Sequence, residues 1–444
     1  MKIRPISGFP EWLPEEELVQ QHFIDTIRRS FELHGFGPIR TRAIEPMDVL
    51  LSKGETDKEI YEVQRRAAGT ESEASMGLHY DLTVPFARYV REHKGQLIFP
   101  FRRYQIQSAW RGERPQLGRY REFVQADADV IGEQQLGLRY DAEMMALLAS
   151  TLDALPIPPV KLLLNNRKVL QGFYLGLGIE AVTEVLRCID KIPKIGADAA
   201  RRELIDLKLS EAQADACIGL SRVEAEHPDG LQAVRELGVS HPLLDEGLDE
   251  LGRVLGYCLE QGTTTKAVAA LHIARGFDYY TGTVVEGVLI EHPELGSICS
   301  GGRYDRLASE GGVDLPGVGV SIGVSRIMGY LAHLGRLAPL ASRRRTPAEV
   351  FVIVHDEGSR DRSEAAARSL RARGIRCLVA DKAHNYGKQL KAATRLGVRY
   401  AWFPPAKDEG EHEVKDLESG EQTPGDLEAW APSAMPLDDA SAGE

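Results

Sequence analysis

The sequence predicts an α+β protein with a mostly antiparallel sheet, a helical insertion and a separate C-terminal α/β domain. Short apolar runs such as LIFPFRRYQIQSAW and REFVQADADVIG follow one another without crossover helices, which is typical of antiparallel strands. From 165 to 261 the pattern changes to helical periods rich in Leu, Ala and Glu. Beyond residue 347 strands and helices alternate, which predicts a parallel core with right-handed crossovers.

The predicted sheet domain spans residues 1–340. It begins with a predicted helix from about Pro14 to His34, in which apolar side chains recur at near-helical spacing before Gly35 ends it. The strand pattern resumes after the insertion with TVVEGVLI and SICSGGRYD, and GVGVSIGVSRIMGYL starts as a strand and becomes helical. The insertion therefore interrupts a single predicted sheet.

A charged stretch that ends in proline, 341–347, is predicted to link this domain to a second one at 348–432. There the strands FVIV, IRCLVA and RYAWF alternate with two helices, the second capped by Asn385. The polar residues 433–444 are predicted to be disordered.

The formal charge of −12 argues against a protein that coats nucleic acid non-specifically, because phosphate binding depends on local cationic density. That density is high in one place, since six arginines and one acid lie between Arg102 and Arg121. A polyanion site can therefore exist here, and charge alone leaves open whether it takes ATP, RNA or both.

Cysteine spacing and hydropathy exclude two other classes of protein. The five cysteines are scattered singly without the CxxC spacing of a zinc site, which predicts reduced, buried thiols and no metal-binding cysteines. No apolar run approaches the roughly 20 residues that span a bilayer, and the first residues do not resemble a secretory leader. We therefore expect a cytoplasmic protein that does not bind a membrane.

The segment WRGERPQLGRYREFVQADADVIG, residues 110–132, predicts two strands around a Pro/Gly turn. Alternation along a strand places Arg111 and Glu113 on one side of the first strand. On the return strand the same alternation aligns an arginine, an aromatic ring, an amide and two carboxylates: Arg121, Phe123, Gln125, Asp127 and Asp129. An ordinary solvated hairpin is the alternative, because such a mixture also arises by chance.

Two further segments place polar side chains close together. In LHYDLTVPFARYV, Asp81 and Thr83 share one face of a predicted strand, which alone is a weak signal. In ARGFDYYTGTVVEG, Arg275 precedes Tyr279 and Tyr280 near a tight turn. Strand aromatics that only pack against their neighbours are the alternative for the two tyrosines.

A glycine-rich stretch at 296–327 leads into a predicted helix that bears Arg326. Glycines allow a ligand to approach the backbone and a helix N-terminus favours anions, although glycine runs are as often turns. In the C-terminal domain, Lys388, Lys391 and Arg395 lie on one face of a predicted helix. They are candidate RNA contacts, with a solvated basic face as the alternative.

These segments together resemble the histidyl-tRNA synthetases, a family of class II aminoacyl-tRNA synthetases, and the resemblance covers nearly the whole chain. Residues 110–132 resemble the family's motif 2, LHYDLT resembles its LRYDLT segment, and residues 296–327 resemble motif 3. ARGFDYYTGTVVEG is similar to RGLDYYTGTVFE, a signature of this family rather than of the whole class. NYGKQLKAATRLGVRYAWF and HEVKDLESGEQ resemble its anticodon-binding domain.

The resemblance implies a role for each matching residue. The implied catalytic cations are Arg111, Arg275 and Arg326. The implied histidine-binding residues are Asp81, Thr83, Arg111, Gln125, Asp129, Arg275, Tyr279 and Tyr280. The implied ATP-binding residues are Arg111, Glu113, Phe123 and Arg326. The implied tRNA contacts are Arg114 and Gln116 in the hairpin turn, with Lys388, Lys391 and Arg395 in the C-terminal domain.

Four positions depart from the family pattern. His79 stands where arginine is usual, and we expect it to be an exposed strand residue. Ser325 replaces a glutamate before the motif 3 arginine, and Arg306 replaces a glycine. Arg42 occupies the place of the motif 1 proline within 34–46. A homodimer is therefore implied by the family more than by this motif.

The implied function is ATP-dependent activation of L-histidine, with Mg²⁺, and transfer of the histidyl group to tRNA(His). One rival is the synthetase-like regulatory subunit of ATP phosphoribosyltransferase, which generally lacks the anticodon domain and degrades the signature. Another is a binding-only module that senses uncharged tRNA, but such modules usually lie within larger signalling chains. Histidine-dependent pyrophosphate exchange separates the enzyme from both.

Overall fold

The computed structural model describes residues 4–52, 59–64, 76–274, 279–309, 312–341, 344–407 and 410–433. The chain divides into two compact units, residues 1–10 with 24–330 and residues 11–23 with 331–444. The segment 275–278, which includes Arg275, lies outside the described residues, as do residues 434–444 of the predicted disordered tail 433–444.

The described strands, in chain order, are β1 (Gly37–Pro38), β2 (Ile44–Pro46), β3 (Glu62–Val63), β4 (Met76–Leu78), β5 (Phe101–Trp110), β6 (Glu122–Ile131), β7 (Val160–Asn166), β8 (Glu224–Ala225), β9 (Lys266–Ala270), β10 (Thr283–Leu289), β11 (Cys299–Tyr304), β12 (Gly317–Gly323), β13 (Val350–Val352), β14 (Cys377–Val379), β15 (Tyr400–Phe403), β16 (His412–Asp416) and β17 (Gln422–Gly425). The described helices are α1 (Pro14–Leu33), α2 (Met47–Leu51), α3 (Thr83–His93), α4 (Arg139–Asp153), α5 (Arg167–Gly176), α6 (Val182–Ile189), α7 (Ile192–Ile195), α8 (Ala197–Asp206), α9 (Glu211–Ser221), α10 (Gln232–Arg235), α11 (Pro242–Glu260), α12 (Val324–His333), α13 (Leu337–Ala341), α14 (Arg360–Ala372) and α15 (Tyr386–Leu396).

The first unit is built on a large sheet with the order β1-β5-β6-β12-β11-β10-β7-β9-β8. The pairs β1–β5 and β7–β9 are parallel, and the other neighbouring pairs are antiparallel, which confirms the predicted sheet type. Strands β2, β4 and β3 form a small separate sheet. Helices α5 to α11 lie between β7 and β9, as the helical insertion predicted, and the short strand β8 between α9 and α10 pairs with β9 at the edge of the sheet.

Strand β6 lies between β5 and β12, and the register of the three strands determines which side chains lie next to one another. Asp127 is opposite Gln105 on β5 and Ser321 on β12, while Asp129 is opposite Arg103 and Gly319. Directly opposite residues share a face of the sheet, so these polar groups lie side by side. Two residues that were predicted to lie on strands do not lie on them. Thr83 is the first residue of α3, and Arg111 follows the last residue of β5.

The second unit contains a sheet with the order β14-β13-β15-β16-β17. The first three strands are parallel as predicted, and β16 and β17 extend the sheet in antiparallel fashion. Asn385 caps α15 by accepting the Lys388 backbone N–H at 3.0 Å, and Gly397 ends that helix with a φ of 70°. Among the described helices, none combines the length and the apolar character needed to cross a bilayer.

Candidate active site

A cavity of about 420 Å³ opens on the face of the large sheet at β6 and β12. That volume lies in the range of small-molecule sites. Its wall includes most of the predicted substrate-binding side chains: Asp81, Thr83, Arg111, Glu113, Phe123, Gln125, Tyr279, Tyr280 and Arg326. Side chains to which the resemblance assigns no role complete it, among them Arg119, Tyr120, Asp127, Glu286, Ser297 and Ser321.

Arg111 is held at the mouth of the hairpin formed by β5 and β6. Its Nε donates to the Tyr80 carbonyl at 3.0 Å, and its guanidinium carbon lies 5.1 Å from the centre of the Phe123 ring. These contacts fix the side chain while it still faces the cavity, as electrostatic stabilisation of a reacting group requires. The connection after β5, rather than the strand itself, therefore carries Arg111.

Asp81 and Thr83 reach the cavity from the start of α3. The Asp81 carboxylate accepts the backbone N–H of Val84 at 2.9 Å, as residues that cap helices do. The prediction of a shared strand face was wrong, because the hydrogen bond to Val84 favours a helical turn here. Both side chains nevertheless line the cavity, which the sequence motif predicted.

The opposite wall is aromatic. The rings of Tyr279 and Tyr280 have their centres 4.7 Å apart, and Tyr279 contacts the Tyr304 ring edge-on at 6.2 Å. Burial raises the pKa of both cavity phenols well above the usual range, so at neutral pH they remain protonated and can donate hydrogen bonds. Both rings line the cavity and also pack against buried side chains, so their contact with a substrate stays a prediction.

Along β6, polar side chains alternate into the cavity. The Gln125 amide donates to the Ser321 hydroxyl at 2.9 Å, which orients it. Asp127 is next on the same face and is only 4% exposed. Burial raises the pKa of Asp127 to about 7, with Asp129 and Asp81 adding to the rise, while Arg103 and the Ser321 hydroxyl oppose it.

Asp129 lies deeper than the wall of the cavity, although the resemblance assigns it to histidine. It forms an ion pair with Arg103 at 2.7 Å and accepts the Tyr304 hydroxyl at 2.5 Å. Both Asp129 and Arg103 are buried, at 3% and 0% exposure. Asp129 is absent from the residues that line the cavity, so a direct contact with substrate stays a prediction.

The far end of the cavity is cationic. Arg326, on the first turn of α12, donates to the Tyr330 hydroxyl at 2.8 Å and to the Leu295 carbonyl at 3.3 Å. Arg119 lies nearby and pairs with Glu113 at 3.6 Å. Burial and the charge of Arg119 lower the pKa of Arg326, which is the electrostatic signature of a site that favours an anion.

Some predicted residues lie away from this cavity. Arg114 and Gln116 are exposed in the hairpin turn, which a pair of backbone hydrogen bonds between Gln116 and Arg119 closes. In the second unit, Lys388 and Lys391 are exposed on α15, as is Arg395. Their tRNA-binding roles stay predictions.

Three of the departures from the family pattern have a structural explanation. His79 is 0% exposed, not exposed as predicted, because its ring nitrogens contact the carbonyls of Arg42 at 3.1 Å and Ser108 at 2.8 Å. The Ser325 hydroxyl accepts the Val124 N–H at 2.8 Å and so ties α12 to β6. The Arg42 side chain pairs with the buried Glu45 at 2.9 Å. Arg306 is exposed, and nothing in the structure explains its presence.

The alternation along the predicted strand placed Asp127 on the same face as Gln125, but the family motifs gave it no role in the cavity. Its neighbour Ser321 comes from a strand almost 200 residues later, so only the pairing of β6 with β12 reveals their contact. All five cysteines are buried, as predicted, and none of them forms a disulfide. Over the ranges that the structure covers, no three His, Cys, Asp or Glu side chains are arranged to share a metal ion.

Asp127 gives a prediction for stability. When folding raises the pKa of an acid, the folded protein binds that proton more tightly than the unfolded chain does, which stabilises the folded state at low pH. This contribution to stability is lost as pH rises through the folded pKa. The rise from 3.8 to about 7 corresponds to at most about 4 kcal/mol. In the ligand-free protein, Asp127→Asn is therefore expected to become more stable relative to wild type between pH 4 and about 7, measured by thermal unfolding across this range. A difference between the two proteins that does not vary with pH would contradict it.

The antiparallel sheet, the arginine beside its central hairpin and the arginine on the helix after β12 define the architecture of a class II aminoacyl-tRNA synthetase. A family model described as histidyl-tRNA synthetase matches residues 8–327, and one described as anticodon binding domain matches residues 349–433. The chain belongs to the histidyl-tRNA synthetase family.

Individual relatives are similar to this chain over nearly its whole length. The chain is 48% identical to the histidine–tRNA ligase of Cutibacterium acnes over 448 residues, covering 98% of each. It is 49% identical to that of Thermobifida fusca over 430 residues, covering 96% of this chain and 97% of the relative. The crystal structure of histidyl-tRNA synthetase from Nostoc sp. PCC 7120 is similar at a TM-score of 0.85 and 34% identity, covering 96% and 97%. The resemblance drawn from the motifs is thus confirmed.

Proposed function

We propose that the cavity on β6 and β12 is where this chain, a histidine–tRNA ligase by family, converts histidine and ATP to histidyl-adenylate and pyrophosphate and then transfers the histidyl group to tRNA(His). Its acidic and phenolic end, formed by Asp81, Asp127 and the tyrosine pair, suits the ammonium group and the ring of histidine. Its cationic end, with Arg111 and Arg326, suits the phosphates of ATP. The main support for this proposal is that both ends belong to one cavity, and that the residues lining this cavity match the family motifs.

In the first step a carboxylate oxygen of histidine attacks the α-phosphorus of ATP, and the bond to the bridging oxygen breaks to release pyrophosphate. The attacking carboxylate is already ionised at neutral pH, so no side chain has to remove a proton. We assign Arg111 to the α-phosphate, Arg326 to the outer phosphates and Phe123 to the adenine ring. We keep Arg275 as a further cation at the α-phosphate, as the signature implies. Fixed cations that match the developing charge account for the rate.

In the second step a terminal ribose hydroxyl of the tRNA attacks the acyl carbon of histidyl-adenylate. The bond from that carbon to the phosphate oxygen breaks, AMP leaves, and the hydroxyl proton is lost. We assign Arg114 and Gln116 to the acceptor end of the tRNA, because both are exposed at the tip of the hairpin. We assign Thr83, Gln125 and Asp129 to holding histidine, Asp129 through its support of Tyr304 and the cavity floor.

Mg²⁺, which we infer as the cofactor, would supply charge neutralisation for the ATP phosphates. The cavity residues Glu113 and Glu286 provide the oxygen donors that this cation prefers. The two carboxylates would hold the ion only together with the phosphates, because no described cluster of three metal-binding side chains exists.

We propose that residues 1–340 form the catalytic domain, with its insertion at 165–261, and that residues 348–432 form the anticodon-binding domain. The family matches at 8–327 and 349–433 support this division. We also propose a homodimer that acts in the cytoplasm. Light scattering of the purified protein tests the dimer, and a monomer at micromolar concentration would reject it.

Pyrophosphate exchange into ATP, measured with each of the 20 amino acids in turn, tests the activation step. We expect exchange with histidine alone, followed by histidine transfer to a tRNA(His) transcript. A folded protein that shows no histidine-dependent exchange would reject the proposed function, and exchange without transfer would reject the tRNA step.

The basic face of α15 gives a further prediction. Replacing Lys388, Lys391 and Arg395 together with alanine is expected to raise the KM for tRNA about tenfold and to leave pyrophosphate exchange unchanged. Loss of phosphate contacts should also make the salt dependence of tRNA binding shallower, by about 2 to 3 in log–log slope. The control exchanges lysine and arginine at the same positions, which keeps the charge. If the triple alanine variant bound tRNA as tightly as the variant that keeps the charge, this face would be only solvated.

A further inference from the structure

We propose that Tyr330 is a positioning residue that joins the cationic end of the cavity to the hairpin turn between β5 and β6. Its hydroxyl holds Arg326 in the orientation that reaches a ligand, and its ring supports the backbone of the turn. Tyr330 is not among the residues that line the cavity, so it acts through these two neighbours. This inference rests on the proposed function, in which Arg326 binds the outer phosphates of ATP and the turn contacts tRNA.

The position of Tyr330 in the chain explains why it meets Arg326. The two residues are four apart on α12, so their side chains lie on one face of the helix, one turn from each other. Leu295 approaches the same face from the short 3-10 turn Pro293–Leu295 after β10, and Gly296 follows it with a φ of 77°. An added Cβ at Gly296 would lie 3.2 Å from Nη2 of Arg326, so the backbone passes close to the guanidinium.

The Tyr330 hydroxyl uses both of its hydrogen-bonding roles in this cluster. It accepts the Nε–H of Arg326 at 2.8 Å, and it donates to the carbonyl oxygen of Leu295. Nη2 of Arg326 donates to the same carbonyl at 3.3 Å, which closes the cluster. Tyr330 is only 1% exposed, so water competes little for these contacts. Two groups that do not line the cavity therefore fix the guanidinium.

The cluster leaves Arg326 able to bind a ligand. A guanidinium carries five N–H donors, and Tyr330 and Leu295 engage only Nε and one donor of Nη2. The side chain lines the cavity, and a phosphate accepts two parallel N–H groups best, so the orientation of this planar fork matters. Burial lowers the pKa of Arg326, whereas its contact with Tyr330 raises that pKa and so favours the charged form.

The ring of Tyr330 makes the second contact, with the hairpin turn. A Cβ added at Gly118 would lie 2.4 Å from Cε1 of the ring, so the backbone of the turn rests directly on it. Beside it, a Cβ added at Gly329 would lie 2.7 Å from the Tyr120 hydroxyl and 3.0 Å from Cα of Gly118. Arg119, between Gly118 and Tyr120, faces the cavity. One buried side chain therefore supports both the arginine on α12 and the turn.

Tyr330→Phe tests the hydroxyl, because it keeps the ring and removes only the acceptor for Arg326. Isothermal titration calorimetry of the full-length protein compares ATP with AMP, which lacks the outer phosphates but shares the rest of the nucleotide. We expect the variant to weaken ATP binding about tenfold and to leave AMP binding within about twofold. In pyrophosphate exchange the KM for ATP should rise, while the KM for histidine should not change. Tyr104→Phe is the matched control, since this buried tyrosine donates its hydroxyl to the exposed Glu32, and neither residue lines the cavity.

Tyr330→Leu tests the ring, because it also removes the support beneath Gly118. Its KM for tRNA in aminoacylation should rise about fivefold above that of Tyr330→Phe, which should match wild type. If Tyr330→Leu does not fold, Gly329→Ala takes its place, since the added methyl group would push the turn away from α12. A KM for tRNA that matches wild type in the folded variant would overturn the proposed support of the turn.

Equal losses of ATP and AMP binding by Tyr330→Phe would overturn the positioning of Arg326, since the hydroxyl would then act on the whole site. ATP binding within about twofold of wild type would overturn it as well. The proposed function fails in a different way, because a wild-type protein that binds ATP without histidine-dependent pyrophosphate exchange would reject it.

Discussion

Replacing Arg111 with alanine is expected to slow histidine-dependent pyrophosphate exchange by about 10²- to 10³-fold, the effect typical of losing one fixed electrostatic group at a reacting centre. The guanidinium is held by the Tyr80 carbonyl at 3.0 Å and by the Phe123 ring, so it needs no reorganisation when charge develops on the α-phosphate. Because the lost interaction belongs to the transition state, the loss should appear in kcat, with a smaller change in the KM for histidine.

Two variants control this prediction. Arg111→Lys keeps the charge but loses the planar fork and the contact with the Phe123 ring, so only partial activity should return. Arg114→Ala removes an exposed arginine three residues away that does not line the cavity, and exchange should stay near wild type. An Arg111→Ala variant with exchange within threefold of wild type would disprove the assigned role.

The sequence predicted the fold and much of the candidate site because local patterns carry that information. The alternation in REFVQADADVIG identified the face of β6 that lines the cavity, and Phe123 and Gln125 both lie there. The capping residue Asn385 and the left-handed Gly397 marked the ends of α15, since both act within one turn of the helix. Family motifs supplied the residues, such as Tyr279 and Tyr280, whose partners lie far away in the chain.

What the sequence could not predict depends on long-range pairing and burial. Asp127 and Asp129 differ little in local pattern, yet only the register with β5 and β12 gives Asp129 an arginine and leaves Asp127 facing the cavity. His79 looked like an exposed strand residue until the fold enclosed it between two carbonyls. The helical start at Thr83 was missed because the Asp81 cap competes with the strand propensity around it.

Gly319→Ala is expected to destabilise the first unit by about 3 to 5 kcal/mol, because it disturbs a buried ion pair as well as crowding the core. An added Cβ would lie 2.0 Å from Oδ1 and 2.5 Å from Cγ of Asp129, well inside contact distance. Asp129 would have to move, and the movement would separate it from Arg103 and Tyr304. Glycine is thus required here by close approach, since its φ is not in the left-handed region.

Gly95→Ala is the matched control, because an added Cβ there meets no atom within 4 Å. Thermal unfolding should show a large drop for Gly319→Ala and almost none for Gly95→Ala. Since Asp129 supports the floor beneath the histidine ring, the surviving folded fraction of Gly319→Ala should also bind histidine more weakly than wild type. Stability within about 1 kcal/mol of wild type would mean that the sheet relaxes around the new methyl group, and that the Arg103–Asp129 pair is not rigidly held.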